Sequence, residues 1–413
     1  MREMKDSGIE WIGEIPVDWE VSRIKQLFSE VNDRCENSEN YTLLSVSEYY
    51  GVAPKSERIS DDDMLTHAET LDGYKICKEN DLVMNIMLAW KRAMGVSEYT
   101  GIVSPAYCIY RGKQNMCAKY FHYLFRTDMY ANLFKQYSTG IIDSRLRLYP
   151  DKFFALKCQV PPVDTQHRIA DYLGSKCSQI DTIIARQKEV IEKLKAYKLS
   201  VITEAVTSTD SQMCRFRNCI TTIEQGWSPA PAEIVGEDGW FVLSLSAVKN
   251  GKFIKLSKKP IDANENIPTK LSIKVGDLLM TRSNTRELVG DVCLVDSDCP
   301  KTIFSDLIYR ISLNDTLLPC YAIFLLQSAF IRQQIQESAR GSSGTMPKIS
   351  HKSIKNLNIY LPSIPEQREI SGFLRNKCNC IDTCIQEKER LIKKLTAYKK
   401  SLIYEVVTGK KEV

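Results

Sequence analysis

Two long segments of the chain have apolar positions that recur every seven residues, in two rows that lie four residues apart. The segments are residues 166–207 and 367–408. This spacing is typical of the a and d positions of a coiled coil, so each segment is predicted to form one long helix. The rows are Leu173, Ile180, Gln187, Leu194, Val201 with Cys177, Ile184, Ile191, Lys198, Ala205, and Leu374, Ile381, Lys388, Leu395, Leu402 with Cys378, Ile385, Ile392, Lys399, Val406.

The polar members of these rows recur at equivalent places in the two segments. Gln187 corresponds to Lys388, and Lys198 corresponds to Lys399. In an antiparallel pair related by a pseudo-two-fold axis the helix midpoints meet, so the Gln187 amide would accept a hydrogen bond from the Lys388 ammonium. Lys198 and Lys399 would then lie near opposite ends and reach water. A parallel pair would bring these two lysines together, so the antiparallel arrangement is predicted.

Proline residues mark where each long helix should begin. Pro161 and Pro162 precede the first segment, and Pro362 and Pro365 precede the second. Proline lacks a backbone N–H group and its ring clashes with the preceding turn, so it is excluded from helix interiors. Both helices are therefore expected to begin after these prolines.

The two helical segments are copies of one another. Residues 166–207 align without gaps on 367–408 at an offset of 201, with 20 identities in 42 positions. The same offset relates Tyr120 to Tyr321 and Leu124 to Leu325, and it drifts to 196 where residues 81–84 match residues 277–280. The chain is therefore a duplication, in the order variable module, conserved helix, variable module, conserved helix.

Both variable modules combine strand-like and helical segments. Short apolar runs bounded by turn residues predict strands, and one helical stretch follows them in each module. We therefore predict an α+β fold with two modules related by a pseudo-two-fold axis and separated by two long antiparallel coiled-coil helices. The predicted strands lie at 81–87, 106–110, 242–245, 277–281 and 291–295, and the helical stretches at 119–136 and 320–338.

Composition narrows the class of protein. Hydrophobic residues make up 43% of the chain and charged residues 26%, and the net charge is only +5, so a nucleic-acid surface would need local basic clusters. None of the 14 cysteines forms a C-x-x-C pair, so we expect free thiols and no metal site. The N-terminus has no apolar signal segment and no stretch reaches the ~20 apolar residues of a membrane span. These features favour a cytoplasmic protein.

The sequence contains no recognisable catalytic motif. A DNA methyltransferase needs a glycine-rich cofactor loop and a polar-Pro-Pro-aromatic loop, but the Pro-Pro at 161–162 is flanked by Val160 and Val163. The four histidines, His67, His122, His167 and His351, are scattered, so we interpret them as structural or surface residues. We expect no catalytic residue. A fused restriction-methylation enzyme and a coiled-coil adaptor that binds only protein are the competing interpretations.

Two similar modules joined by rigid helices suit a target whose surface repeats. Duplex DNA presents similar surfaces at intervals set by its pitch, and two-fold readers match half-sites at fixed spacing. Modules that differ in sequence would read different half-sites. The helices would fix the distance between them.

Four segments carry a specific resemblance. Residues 8–19, GIEWIGEIPVDW, stand at the start, and the helix entries read Pro161-Pro162-x-x-x-Gln166-x-x-Ile169 and Pro362-x-x-Pro365-Glu366-Gln367-x-x-Ile370. Residues 402–410, LIYEVVTGK, stand at the end. With these motifs the whole chain resembles the specificity subunit of type I restriction-modification enzymes. The first entry departs slightly, since Asp164-Thr165 replace the usual Pro or Leu followed by Glu.

The resemblance implies an assembly that the residues alone do not. Two target-recognition domains, 1–160 and 211–361, would each read one part of a bipartite site in double-stranded DNA. The spacer helices, 161–210 and 362–413, would dock two modification (methyltransferase) subunits. S-adenosylmethionine, ATP and Mg are expected in the partner subunits and no cofactor in this chain. Restriction subunits would add a translocase and nuclease, or the complex would only methylate.

The second module offers a polar loop as a candidate reading element. Arg282, Asn284 and Arg286 follow a predicted strand and precede another. Arginine can bind guanine O6 and N7, and asparagine can bind adenine N6 and N7, in the major groove. The alternative is an ordinary polar hairpin turn.

The first module has a loop at the corresponding place and a second basic element. The loop carries Asn85, Trp90, Lys91 and Arg92, although Trp90 could equally belong to the core. The second element carries Arg145 and Arg147 after Gly140, and it corresponds to Lys348, which follows Gly341-Ser342-Ser343-Gly344 and Thr345. Glycine lets a backbone approach a phosphate closely, and the alternative is a flexible linker.

Overall fold

The computed structural model describes residues 3–57, 71–113, 115–208, 211–229, 239–262, 266–339 and 346–413. The chain divides into two compact units. The first comprises Met1–Arg186 with Arg390–Val413, and the second comprises Gln187–Glu389. Each unit therefore contains one variable module and one half of each long helix.

The first unit is built from short strands and helices that end in a long helix. Its strands are β1 Met4–Asp6, β2 Glu14–Pro16, β3 Glu20–Arg23, β4 Phe28–Val31, β5 Thr42–Ser47, β6 Gly51–Pro54, β7 Lys75–Cys77, β8 Leu82–Asn85, β9 Met94–Val96, β10 Gly101–Val103, β11 Tyr107–Gly112 and β12 Lys157–Val160. Its helices are α1 Ile24–Leu27, α2 Ala118–Phe125, α3 Asp128–Tyr137, α4 Pro150–Ala155 and the first half of α5 Val163–Thr207.

The second unit repeats this order. Its strands are β13 Met213–Arg215, β14 Ile220–Gln225, β15 Phe241–Leu243, β16 Val248–Lys249, β17 Lys252–Phe253, β18 Lys258–Pro260, β19 Leu278–Thr281, β20 Val292–Leu294, β21 Thr302–Phe304, β22 Ile308–Leu313 and β23 Asn358–Tyr360. Its helices are α6 Pro319–Gln327, α7 Ala329–Ser338, α8 His351–Lys355 and the first half of α9 Ile364–Val407. The predicted α+β class and the predicted strands are confirmed.

Matching four-stranded antiparallel sheets form the centre of the two modules. Their strand orders are β4-β11-β8-β9 and β14-β22-β19-β20. Leu82 pairs with Tyr110 in the first sheet, and Leu278 pairs with Ile311 in the second. Leu278 lies 196 residues after Leu82, and Ile311 lies 201 residues after Tyr110, so the two pairs are related by the two offsets found in the sequence. The duplication therefore extends from sequence to strand register.

The central strands are buried on both faces. Leu82 and Met84 of β8 belong to a large aromatic-rich core, whereas Val83 belongs to a smaller core on the opposite face. The counterpart β19 has the same arrangement, with Met280 in one core and Leu279 in another. A strand covered on both sides reads as a continuous apolar run instead of an alternating one.

The helical stretch predicted after each sheet is two helices instead of one. Thr127 caps α3 by accepting a hydrogen bond from the Tyr130 N–H group, and Ser328 caps α7 by accepting one from the Ile331 N–H group. A hydroxyl at this position satisfies an amide of the new first turn and favours a helix start. The sequence prediction of a single stretch is therefore wrong at Thr127 and Ser328.

The long helices begin close to the predicted prolines. Helix α5 starts at Val163, directly after Pro162, as expected. Helix α9 starts at Ile364, so Pro365 lies in its first turn and the expectation for this residue is wrong. Proline is tolerated there because its missing N–H group would have no partner within the helix.

A buried glutamine joins each long helix to its module. The Gln367 side chain is fully buried, its Oε1 accepts from Leu318 N–H at 2.8 Å, and its Nε2 donates to the carbonyls of Thr316 and Pro362. In the first unit Gln166 accepts from Cys117 N–H at 2.9 Å and donates to the Pro161 carbonyl. This duplicated contact explains why both helix entries carry glutamine.

The helix halves within each unit are antiparallel. In the second unit Lys388 Nζ donates to Gln187 Oε1 at 3.1 Å, which confirms the predicted central contact. In the same unit Lys198 Nζ lies 2.7 Å from Asp382 Oδ1. The symmetry-equivalent pair in the first unit joins Lys399 to Asp181 at 2.6 Å. The two lysines are partly exposed, and each one also has an acidic partner on the facing helix that the sequence did not predict.

Asp382 also binds the second module. Lys252 of β17 lies 2.8 Å from Asp382 Oδ2, so one carboxylate joins two lysines. Burial raises the pKa of Asp382, but the hydrogen bonds from Lys198 and Lys252 outweigh that effect and hold it below its usual value. The contact fixes the β16–β17 hairpin to helix α9.

Replacing the half-buried Gln187 and Lys388 together by leucine should stabilise the protein. Polar groups at core coiled-coil positions specify register at a cost in stability, and apolar replacement of a paired set is often neutral or favourable by about 1–4 kcal/mol. We expect a higher denaturation midpoint for Gln187→Leu with Lys388→Leu. Gln187→Leu alone should lower it, because it removes the partner of the Lys388 ammonium. A double variant less stable than both single variants would contradict the account.

Among the described residues, no helix combines the length and apolarity that crossing a membrane would require.

Candidate nucleic-acid interface

The structure brings together the two candidate segments of the second module. Arg282 N–H donates to the Leu307 carbonyl at 2.7 Å, and Ile349 N–H donates to the Arg282 carbonyl at 2.9 Å. Ser283 forms an antiparallel bridge with Lys348. Residues 282–284 thus lie between Leu307, directly before β22, and the segment that carries Lys348. The two segments form one surface although more than sixty residues separate them in sequence.

The basic side chains of this surface have few internal partners. Arg282 is half-buried, and its guanidinium contacts the Asp306 carbonyl at 3.4 Å and the Tyr309 hydroxyl. Arg286 and Lys348 are exposed and form no ion pair within the described residues. The Asn284 Oδ1 accepts from Thr285 N–H, and Asn284 lines a cavity of about 680 Å³. These side chains are available to an external anion or acceptor.

The first module is built in the same way. Leu148 N–H donates to the Ile86 carbonyl at 2.9 Å, which repeats the contact between Ile349 and Arg282 at the two offsets of the duplication. Arg145 and Arg147 are exposed, with no ion-pair partner in the described part of the chain. The framework is therefore shared, while the side chains on it differ.

Trp90 packs against the core and also contacts two lysines. Its ring is half-buried and packs against the first core, and its Nε1 donates to the Met87 carbonyl at 3.2 Å. The ammonium groups of Lys91 and Lys135 lie 5.1 and 4.8 Å from the ring centroid. The indole thus holds two cations together at the surface, an arrangement stabilised by the negative face of the ring.

Arg92 and Asn85 differ from the other candidates. Arg92 adopts a left-handed backbone with φ 67° and forms an ion pair with Asp128. Asn85 is only 5% exposed, and its Oδ1 accepts from Met87 N–H at 3.1 Å. The sequence interpretation of Asn85 as a groove-facing residue is therefore corrected. As the last residue of β8 it shapes the loop.

Gly140 approaches the protein backbone closely. Its φ is 153°, and a Cβ atom there would lie 2.6 Å from the Arg145 carbonyl oxygen. Glycine is thus required by the packing of the loop that carries Arg145. The corresponding Gly341-Ser342-Ser343-Gly344 and Thr345 lie outside the described residues.

Arg126 is an organising residue that sequence reasoning missed. Its guanidinium donates to five carbonyls, those of Arg92, Met94, Ser47, Glu48 and Tyr49, at distances from 2.6 to 3.3 Å. Burial, with the nearby Arg92, lowers its pKa to about 10, so it remains charged at neutral pH. Arg126 thereby fixes the turn at 92–94 to the hairpin tip at 47–49. Nothing in its local sequence signals these contacts, which lie 32 to 79 residues away.

Metal-ligating residues do not gather into a site in the described part of the chain. No group of three His, Cys, Asp or Glu side chains there could hold an ion, and the cysteines are free thiols. Burial raises the pKa of the Cys77 thiol to about 12, which makes it inert as a nucleophile at neutral pH.

Sequence comparisons identify relatives for most of the chain. A family profile described as the type I restriction modification DNA specificity domain matches residues 248–394. The EcoKI specificity subunit of Escherichia coli (strain K12) is 23% identical over 327 residues, 75% of this chain and 68% of that one. The MjaVIII specificity subunit of Methanocaldococcus jannaschii is 23% identical over 431 residues, 96% of this chain and 93% of that one.

Solved structures share the fold. One chain, from a study of complex assembly and conformational transition of the type I R-M system, matches with a TM-score of 0.69 and 13% identity over 95% of this chain and 98% of its own. The HsdS subunit from Thermoanaerobacter tengcongensis matches with a TM-score of 0.53 and 13% identity over 96% and 98%. Residues 248–394 thus match the type I restriction modification DNA specificity domain, and the chain is similar over most of its length to type I specificity subunits.

Proposed function

We propose that this chain reads a bipartite sequence in double-stranded DNA and directs the modification and restriction subunits of a type I complex to it. Residues 1–160 and 211–361 are the two target-recognition domains. Residues 161–210 and 362–413 are the spacer helices, on which two methyltransferase subunits dock. The translocase and nuclease subunits join the same assembly.

One observation carries the proposal. The two modules share a backbone framework, down to the equivalent contacts of Leu148 with Ile86 and of Ile349 with Arg282. The polar side chains on it differ, with Trp90, Lys91, Arg92, Arg145 and Arg147 in one module and Arg282, Asn284, Arg286 and Lys348 in the other. A shared frame with different side chains suits the reading of two different half-sites.

The chain acts in this proposal as a non-catalytic subunit. S-adenosylmethionine, ATP and Mg belong to the partner subunits, and this chain binds none of them. The sequence has no cofactor loop, and its histidines are scattered along the chain with no evident nucleophile beside them. The same reading function would serve a complex that only methylates.

Methylome sequencing tests the proposal. A host carrying the chain with its modification subunits should methylate one bipartite motif, and deletion of the chain alone should abolish that methylation. Binding of the complex to a duplex carrying the motif should also depend on the chain. Unchanged methylation after deletion would overturn the proposal in favour of a protein-binding adaptor.

A further inference from the structure

A polar groove lies beside Arg282 in the second module. Its volume is about 980 Å³. We define it as the cationic groove, lined among others by Arg215, Arg282, Lys348, His351, Lys352 and Glu337. We propose that the cationic groove binds the phosphate backbone of DNA next to the half-site of the second module, an inference that rests on the proposed function.

The side chains that line the cationic groove carry an excess of positive charge. Among the described residues that line the groove, four carry a positive charge and only Glu337 carries a negative one. The four are Arg215, Arg282, Lys348 and Lys352. The Glu337 carboxylate already accepts a hydrogen bond from Gln333 at 2.9 Å. Within the described residues none of the four cations forms an ion pair. An uncompensated cationic groove fits a polyanion, because phosphates are neutralised by arginine and lysine with release of counterions.

The basic side chains of the cationic groove come from separate secondary-structure elements. Arg215 ends strand β13, Lys348 precedes helix α8, and Lys352 lies within α8. The Arg215 guanidinium is held in place by its donation to the Asn356 carbonyl at 2.6 Å. Side chains from separate elements thus line one continuous surface. A backbone of repeating phosphates can contact such a surface at several points.

Polar neutral groups complete the cationic groove. The His351 ring packs edge-on against Tyr309, with centroids 4.6 Å apart. Partial burial, Lys355 and Arg282 lower the pKa of His351, so its ring is neutral at neutral pH. Ser350 and Ser353 add hydroxyls that lie 3.0 Å from each other. Such groups supply hydrogen bonds to phosphate oxygens and carry no base specificity.

The first module shares only part of this groove, since Arg215 and Lys348 correspond to Arg23 and Arg147. Lys352 corresponds to Asp151, His351 to Pro150 and Arg282 to Ile86. Two of the four cations are therefore absent from the equivalent place in the first module, and the two modules should differ in how strongly salt weakens their binding.

Two charge-neutralising variants test the proposal in the complex with the modification subunits. Arg215→Gln and Lys352→Gln are measured by fluorescence anisotropy on duplexes with the methylome-defined motif and with a scrambled motif, over a salt series. Each variant should reduce the slope of log affinity against log salt by about 0.9, and should weaken both duplexes equally. The methylated motif should not change. Lys274→Gln, at an exposed site of the same module outside the groove, is the control and should leave the slope unchanged.

The outcomes separate this inference from the proposed function. If the unaltered complex binds its motif but both variants keep its salt slope, the cationic groove does not bind phosphate. A changed methylation motif would also overturn the inference, because the groove would then read bases. If the unaltered complex shows no preference for the motif, the proposed function itself fails, and this inference falls with it.

Discussion

Replacing Arg282 by alanine should weaken recognition of one half-site by about 1–3 kcal/mol and relax specificity at one position. The backbone of Arg282 is fixed by its contacts to Leu307 and Ile349, and its guanidinium contacts the Asp306 carbonyl and the Tyr309 hydroxyl but has no carboxylate partner in the described chain. It is therefore preorganised to form a bidentate contact with a base. Affinity measurements on duplexes substituted at each motif position, together with methylome sequencing, check this result.

Two further variants define what Arg282 contributes. Arg282→Lys keeps the charge but loses the planar fork of donors, so specificity should fall while binding to scrambled DNA is retained. Arg217→Ala removes an exposed arginine of the same module that is not among the candidates, and it should leave the motif unchanged. If Arg282→Ala behaves like Arg217→Ala, the loop at 282–286 has no part in reading the sequence.

Replacing Gln367 by methionine should destabilise the second unit by roughly 2–5 kcal/mol. Methionine preserves the shape of the fully buried side chain but leaves Leu318 N–H and the carbonyls of Thr316 and Pro362 without their partner. An unsatisfied buried polar group costs about 1–3 kcal/mol. The expected result is a lower denaturation midpoint and faster hydrogen exchange at Leu318.

A variant on the same helix provides the control for Gln367. Gln386 is exposed, so Gln386→Met should change stability by less than about 0.5 kcal/mol. A Gln367→Met protein as stable as Gln386→Met would show that the buried amide does not fasten helix α9 to its module.

The helices and their pairing could be predicted because the chain contains two copies of the same element. The internal alignment showed that Gln187 and Lys388 interrupt equivalent rows, and antiparallel geometry then required their contact. The partners of Lys198 and Lys399 were missed for a different reason. Asp181 and Asp382 lie just outside the two rows, and only the three-dimensional packing shows that each one reaches the lysine of the facing helix.

The candidate surface was predicted only in part. Sequence patterns located the polar segments, but the contact of Arg282 with Ile349 depends on a sheet whose pairing is non-local. Asn85 was misassigned because β8 is covered on both faces, so the polar end of the strand is buried too. Arg126 and Arg215 act through distant carbonyls, which no local pattern reveals.

The central claim is that each module reads one half of a bipartite site, and an exchange of residues 1–160 tests it most directly. The donor should be a relative that keeps tyrosine and glutamine at positions 120 and 159, because both side chains donate to the Val407 carbonyl within the first unit. Methylome sequencing should show that one half of the methylated motif is replaced by that of the donor and the other half is unchanged. A change in both halves, or in neither, would contradict the account.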